Sequence, residues 1–130
     1  MRFTKLHALG NDFLVVDPRE GLDPAAAGGL ARRICDRHTG VGADGLLLVS
    51  AAKEGPPEAG FRVFNADGSE AEISGNGLRC AAAYLFAAGR ASGGRVTFLS
   101  ATGPRPCELG EREGRRQIIR IDMGVPVLES

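Results

Sequence analysis

Apolar residues in this chain come in short runs separated by glycine-bearing breaks, and the period within each run predicts its element. Arg2–Ala8 and Phe13–Asp17 read as two strands around a Gly10-Asn11 turn. Asp23 as N-cap and Pro24 in the first helical position predict a helix running to about Arg37. Its apolar stripe is Leu30, Ile34 and Cys35; Arg32, Arg33 and Arg37 are solvated, and Gly28-Gly29 predict fraying or a kink. Gly45–Ser50 is apolar on both faces through Leu46-Leu47-Leu48-Val49, the mark of a strand inside a sheet. Ala51–Gly60, with Gly55-Pro56-Pro57, reads as a surface loop. In the following strand Phe61, Val63 and Asn65 share a face.

Asn76–Arg90 is the helix that organises the rest. Cys80-Ala81-Ala82-Ala83-Tyr84-Leu85-Phe86-Ala87-Ala88 carries no charge on any side, which predicts burial all round and a sheet to wrap it. Arg95–Ala101, Arg105–Glu111 and Gln117–Met123 are the remaining strands. In the last, Ile119, Ile121 and Met123 oppose Arg120 and Asp122. The expected fold class is α+β: a mostly antiparallel, barrel-like sheet around one central buried helix.

Composition narrows the function classes. With 130 residues the chain has the size of one domain, and 43% hydrophobic with 25% charged residues is ordinary for a soluble protein. A net charge of zero gives no electrostatic pull towards nucleic acid or anionic membrane, so neither is an expected partner. The apolar run from Cys80 to Ala88 is too short to span a membrane, and His7, Asn11 and Asp12 interrupt the N-terminal region where a leader would be apolar. Cys35, Cys80 and Cys107 lack framework or metal-ligand spacing, so the expectation is a reduced, cytoplasmic protein without disulfide or metal.

The densest chemistry lies in Asn65-Ala66-Asp67-Gly68-Ser69-Glu70 and Ser74-Gly75-Asn76-Gly77-Leu78-Arg79-Cys80. The second stretch enters a helix, whose first N–H groups and partial positive charge favour an anion; Gly75 and Gly77 let a ligand approach the backbone. Two plainer readings stay open at this point: Ser74 as an ordinary N-cap, and Asn65 as the cap of its own Asp-Gly turn.

Three blocks in order, Lys5–Phe13, Asp36–Asp44 and Phe64–Cys80, resemble the N-terminal halves of diaminopimelate epimerases. Those begin K-x-H-x-L-G-N-D-F, continue through D-R-H-x-G-V-G-x-D, and reach F-N-A-D-G-S-E and C-G-N-G-x-R-C. The resemblance covers essentially the whole chain. It implies that residues 1–130 form one N-terminal epimerase-type domain, whose pseudo-symmetric second domain is not in this sequence and would come from the same or another chain. It also implies the half-domain architecture inferred above, an isomerase that works without pyridoxal phosphate or other cofactor, and a small amino acid as substrate. The reaction would interconvert LL- and meso-diaminopimelate in lysine and cell-wall biosynthesis. By motif position, Asn11 and Asn65 hold the distal end of the substrate, and Gly75 and Asn76 offer backbone amides.

Two positions depart from the pattern. Ser74 stands where the family has its first catalytic cysteine, and Gly45 where some relatives carry a substrate-contacting glutamine. A serine hydroxyl is far less acidic than a thiol and needs a neighbouring base. Ser74 is therefore a weak acid or base, a substitution that disables one face of the site, or part of a one-base isomerase or dehydratase. A non-catalytic amino-acid-binding homologue is the alternative of a different class. His7 and His38 have no assigned place beside Ser74, and Cys80, more than a helical turn away in an apolar segment, reads as a core thiol.

Overall fold

The computed structural model describes residues 3–51, 58–72, 75–87, 94–100, 103–113 and 116–121. Among them are strands β1 (Thr4–Ala8), β2 (Asn11–Val16), β3 (Gly45–Ala51), β4 (Glu58–Asn65), β5 (Glu70–Ala71), β6 (Arg95–Ser100), β7 (Gly103–Glu113) and β8 (Arg116–Ile121), with helices α1 (Ala27–Ile34) and α2 (Gly75–Ala87). All strands join one sheet in the order β1-β2-β3-β4-β6-β7-β8, with β5 added to β4. The β2–β3 and β4–β6 pairings are parallel and the others antiparallel.

The sheet curls because α2 packs against both of its ends. The helix meets β1 and β2 on one side and β7 and β8 on the other. Its Leu78, Cys80, Ala81, Ala82 and Leu85 join Phe13, Val15, Leu47, Val49, Phe61, Val63, Val96, Phe98 and Ile119 in one inner core. Phe61 and Phe98 meet there as a tilted aromatic pair with ring centroids 5.5 Å apart. A second core lies on the outer face of β2, β3 and β4, where Leu14, Val16, Leu46, Leu48 and Phe64 pack under Leu30, Ala31 and Cys35. The two-sided apolar character of residues 46–49 follows directly: β3 is central and has a helix on each side.

Three expectations change in detail. The first helix is shorter than its pattern suggested. Asp23 does cap, accepting from Ala25 N at 3.0 Å, but Pro24–Ala26 is a 3-10 turn and the α-helix ends at Ile34. The Ala51–Gly60 loop contracts, since Ala51 ends β3 and Glu58–Gly60 open β4, paired Ala51↔Ala59 and Ser50↔Gly60; residues 52–57 lie outside the described set. Finally, α2 is not buried all round: Ala83, Tyr84 and Phe86 are half-buried and Ala87 is exposed. In β8, Ile119 is buried and Arg120 exposed as the alternation required, while Asp122 and Met123 fall outside the described residues.

Candidate active site

The directions of the strands gather the motif blocks at one end of the sheet. β2 and β3 are parallel, so both begin there, at Asn11 and Gly45. β4 runs the other way and finishes there, at Asn65, which pairs with Gly45. α2 starts at the same place, because Asn76 Nδ2 donates to Asn11 Oδ1 at 2.7 Å. Alternation along β2 then separates two tasks. Asn11, Phe13 and Val15 point towards α2, whereas Asp12, Leu14 and Val16 point towards α1.

On the α1 side Asp12 anchors an ion cluster. The segment after α1 folds back on the helix end, with Gly42 N donating to Ile34 O and Ala43 N to Cys35 O, and this carries Arg37 to the start of β2. Arg37 Nη2 donates to Asp12 Oδ1 at 2.9 Å and to Asp44 Oδ1 at 3.1 Å, and Nη1 donates to Asp12 Oδ2 at 3.2 Å. Lys5 Nζ lies 3.4 Å from Asp12 Oδ2. Each aspartate also receives the other's backbone: Asp12 N donates to Asp44 Oδ2 and Asp44 N to Asp12 Oδ1, both at 3.0 Å. The Arg37 guanidinium holds the Asp12 carboxyl well below the usual carboxylate range, against the opposing effect of burial. Asp44 reaches on to the other face, where its Oδ2 accepts from Asn11 Nδ2 at 3.3 Å.

Asn65 lies at the same sheet end, exposed, and its amide is engaged in its own turn. Asn65 Nδ2 donates to Ser69 Oγ at 3.0 Å, and Gly68 N donates to Asn65 O at 2.9 Å. This turn is pinned against α1. A methyl group at Gly28 would lie 2.6 Å from Gly68 O, one at Gly68 would lie 2.8 Å from Gly28 O, and Arg32 Nε donates to Asp67 O at 3.3 Å. Gly28 is therefore a contact glycine rather than a weak point of the helix. We expect Gly28→Ala to lose about 1–2 kcal/mol despite alanine's higher helix propensity, because the obstacle is backbone. A urea titration in which the variant matches or exceeds the parent would show that the turn yields freely.

The first turn of the chain is strained at this site. Leu9 and Gly10 join β1 to β2 with φ of 49° and 89°, a tight hairpin in which a leucine holds the left-handed conformation while 79% exposed.

The sequence-predicted residues divide as follows. Asn11 and Asn76 are in contact; Asn65 ends β4 beside them, two strands from β2; Gly75 is the first residue of α2. Ser74 lies outside the described residues. Gly45 stands between Phe13 and Asn65 in register, and a Cβ there would come within 2.9 Å of Phe64 O and 3.2 Å of the Phe13 ring, so a glutamine does not fit without movement. Cys35, Cys80 and Cys107 are all free and buried, and burial pushes the Cys80 and Cys107 thiols up to about 11. His7 pairs with Asp12, which turns its side chain to the face opposite Asn11. Sequence reasoning missed Lys5, Asp12, Arg37 and Asp44 as a working unit. The available signal was a charged residue set directly before the apolar run Phe13–Val16, where a carboxylate needs partners.

A cavity of about 750 Å³ lies elsewhere, lined among others by Pro18, Pro24, Arg62, Glu70 and Leu99 and by none of these site residues. No described helix is long and apolar enough to cross a membrane.

A family model described as diaminopimelate epimerase matches residues 3–129. The chain belongs to the diaminopimelate epimerase family. Among curated members, the diaminopimelate epimerase of Pelotomaculum thermopropionicum is 46% identical over 130 residues, covering 99% of this chain and 46% of the relative. That of Caldanaerobacter subterraneus is 45% identical, covering 100% of this chain and 46% of its own length. The chain thus spans about half the length of the diaminopimelate epimerases it matches. The fold is also that of a solved structure, a predicted epimerase from Pseudomonas aeruginosa, with a TM-score of 0.71 at 22% identity, over 95% of this chain and 43% of that one.

Proposed function

We propose that this chain is the N-terminal half of a cofactor-independent epimerase that interconverts LL- and meso-diaminopimelate by 1,1-proton transfer. Asn11, Asn65, Gly75 and Asn76 hold the substrate, and Ser74 occupies, by motif position, the place of the family's first catalytic cysteine. A second half-domain, in the same or another chain, closes the cleft and supplies the opposing acid or base. One base removes the α-proton from one face and leaves carbanion-like charge. A second group returns a proton to the other face, so atoms and charge balance over the turnover. Without a cofactor to delocalise that charge, the site must stabilise it with oriented dipoles and excluded water. The N-terminus of α2, thirteen residues long and opening at Gly75 directly after position 74, is such a dipole. Among the described residues, a methyl at Gly75 would meet only the far end of the Arg79 side chain, at 3.3 Å, so packing against them does not demand glycine there.

The observation that carries this reading is the 2.7 Å hydrogen bond from Asn76 to Asn11, with Asp44 behind Asn11. It links the three motif blocks, far apart in sequence, at the head of one helix. The test is solvent deuterium uptake at the α-carbon of diaminopimelate, measured by mass spectrometry on this chain joined to the second half of a relative. Uptake above the uncatalysed rate supports an epimerase. Binding of diaminopimelate with no uptake, whichever residue occupies position 74, leaves an amino-acid-binding homologue as the better account.

A further inference from the structure

Asn11 sits between two partners that constrain its amide in opposite senses. Its Nδ2 donates to Asp44 Oδ2 at 3.3 Å, and its Oδ1 accepts from Asn76 Nδ2 at 2.7 Å. Asp44 is itself held from behind, accepting from Arg37 Nη2 at 3.1 Å and from Asp12 N at 3.0 Å, so what it offers Asn11 is a carboxylate lone pair. Turning the Asn11 amide over would set oxygen against oxygen at Asp44 and nitrogen against nitrogen at Asn76. We infer that Asp44 is a positioning residue for the substrate pocket: it fixes which end of the Asn11 amide faces Asn76, and thereby which end of Asn76 remains for a ligand.

The inference rests on the reading of Asn11 and Asn76 as substrate-facing residues given above. An isolated asparagine can present either a donor or an acceptor. A relay that starts from an acceptor-only group removes that freedom, and each bond polarises the next. The second sequence block thus acts on the first and third without touching substrate. Arg37 and Asp12 hold Asp44 in turn, Asp12 by receiving Asp44 N at 3.0 Å.

The direction of the relay can be reversed, and that is the test. Asn76→Asp places a carboxylate at both ends of Asn11, so one bond must be lost. Asp44→Asn made in the same protein supplies a donor at the other end, and the whole relay can run backwards. Helix-dipole effects at position 76 enter both arms and cancel in a double-mutant cycle. Thermal unfolding of the 130-residue chain and its three variants is expected to give a double-variant Tm higher, by about 3 °C or more, than the two single shifts add to. The cycle is run in ~1 M salt, which screens direct repulsion between carboxylates at positions 44 and 76, and a sum within about 3 °C of additivity, or below it, overturns the relay. Should Asp44→Asn fail to fold, the same cycle is run with Asp44→Ser, whose hydroxyl can also donate to the Asn11 amide oxygen, and the same two outcomes decide. Deuterium uptake at diaminopimelate judges the epimerase reading separately, so the relay and that reading can fail independently.

Discussion

In a protein that joins this chain to the second half of one of its relatives, Ser74→Cys is expected to raise deuterium uptake at the α-carbon of diaminopimelate by about 10²–10⁴-fold, the usual span for a well-placed acid or base. A thiol titrates near 8.5 and is lowered further at a helix N-terminus, so a useful fraction is thiolate at neutral pH. A serine hydroxyl needs a base beside it; His7 leaves on the other face of the sheet from Asn11, and the Cys80 thiol is buried with its titration raised to about 11. The substitution adds little volume, so substrate affinity is expected to stay within a few-fold. An unchanged rate with intact binding would mean that position 74 does not take part in proton transfer.

The second large effect concerns stability. Asp12→Ala removes the shared partner of Arg37 and Lys5 and leaves Asp44 N without its carboxylate acceptor. Asp12 is only 7% exposed, but Arg37, which covers it, is largely open to water, so the ion pairing is screened. We expect a loss of about 2 kcal/mol from the charge-assisted hydrogen bonds, or roughly 6–10 °C in Tm. The same carboxyl gives a pH signature. Its folded-state titration lies below the unfolded value because Arg37 favours the charged form. Its contribution is therefore complete above the unfolded value, near pH 4, and is lost as pH falls through the folded one. Urea midpoints of the parent are expected to drop more steeply below about pH 4 than those of Asp12→Asn. Parallel acid limbs in the two proteins would remove Asp12 as the source.

How much of this was legible in sequence depends on whether a signal was local. The run Leu46–Val49, apolar on both faces, and the segment from Cys80, uncharged on every side, announced a central strand and a core helix. Both stand where the pattern put them, the helix as far as the described residues go, to Ala87. Ala83 and Phe86 were misread as fully buried, since apolarity says that a surface seeks cover and not what covers it. The first helix was overextended because Asp36 and Arg37 continue a helical composition. There the chain breaks instead, as Asp36 Oδ1 accepts from His38 N at 2.7 Å and Thr39 N at 3.1 Å in a turn of its own. In the candidate site, Asn11 and Asn76 carried motif signals. Asp12, Arg37 and Asp44 also lie in the motif blocks, but their grouping did not show, because they come together only through the parallel pairing of β2 and β3, a non-local choice that no single segment encodes.

The mutual approach of Gly28 and Gly68 has an evolutionary consequence. The Gly68 carbonyl occupies the space a side chain at Gly28 would need, while Gly68 is held to glycine both by the Gly28 carbonyl and by its φ of 93°, so the two positions are coupled across helix and turn. A lineage that placed alanine at either one would have to move α1 away from the Asn65–Ser69 turn before the other mattered. Drift at one is therefore invisible to selection only when the turn has already been rebuilt, and the rebuilt turn would carry Asn65 with it.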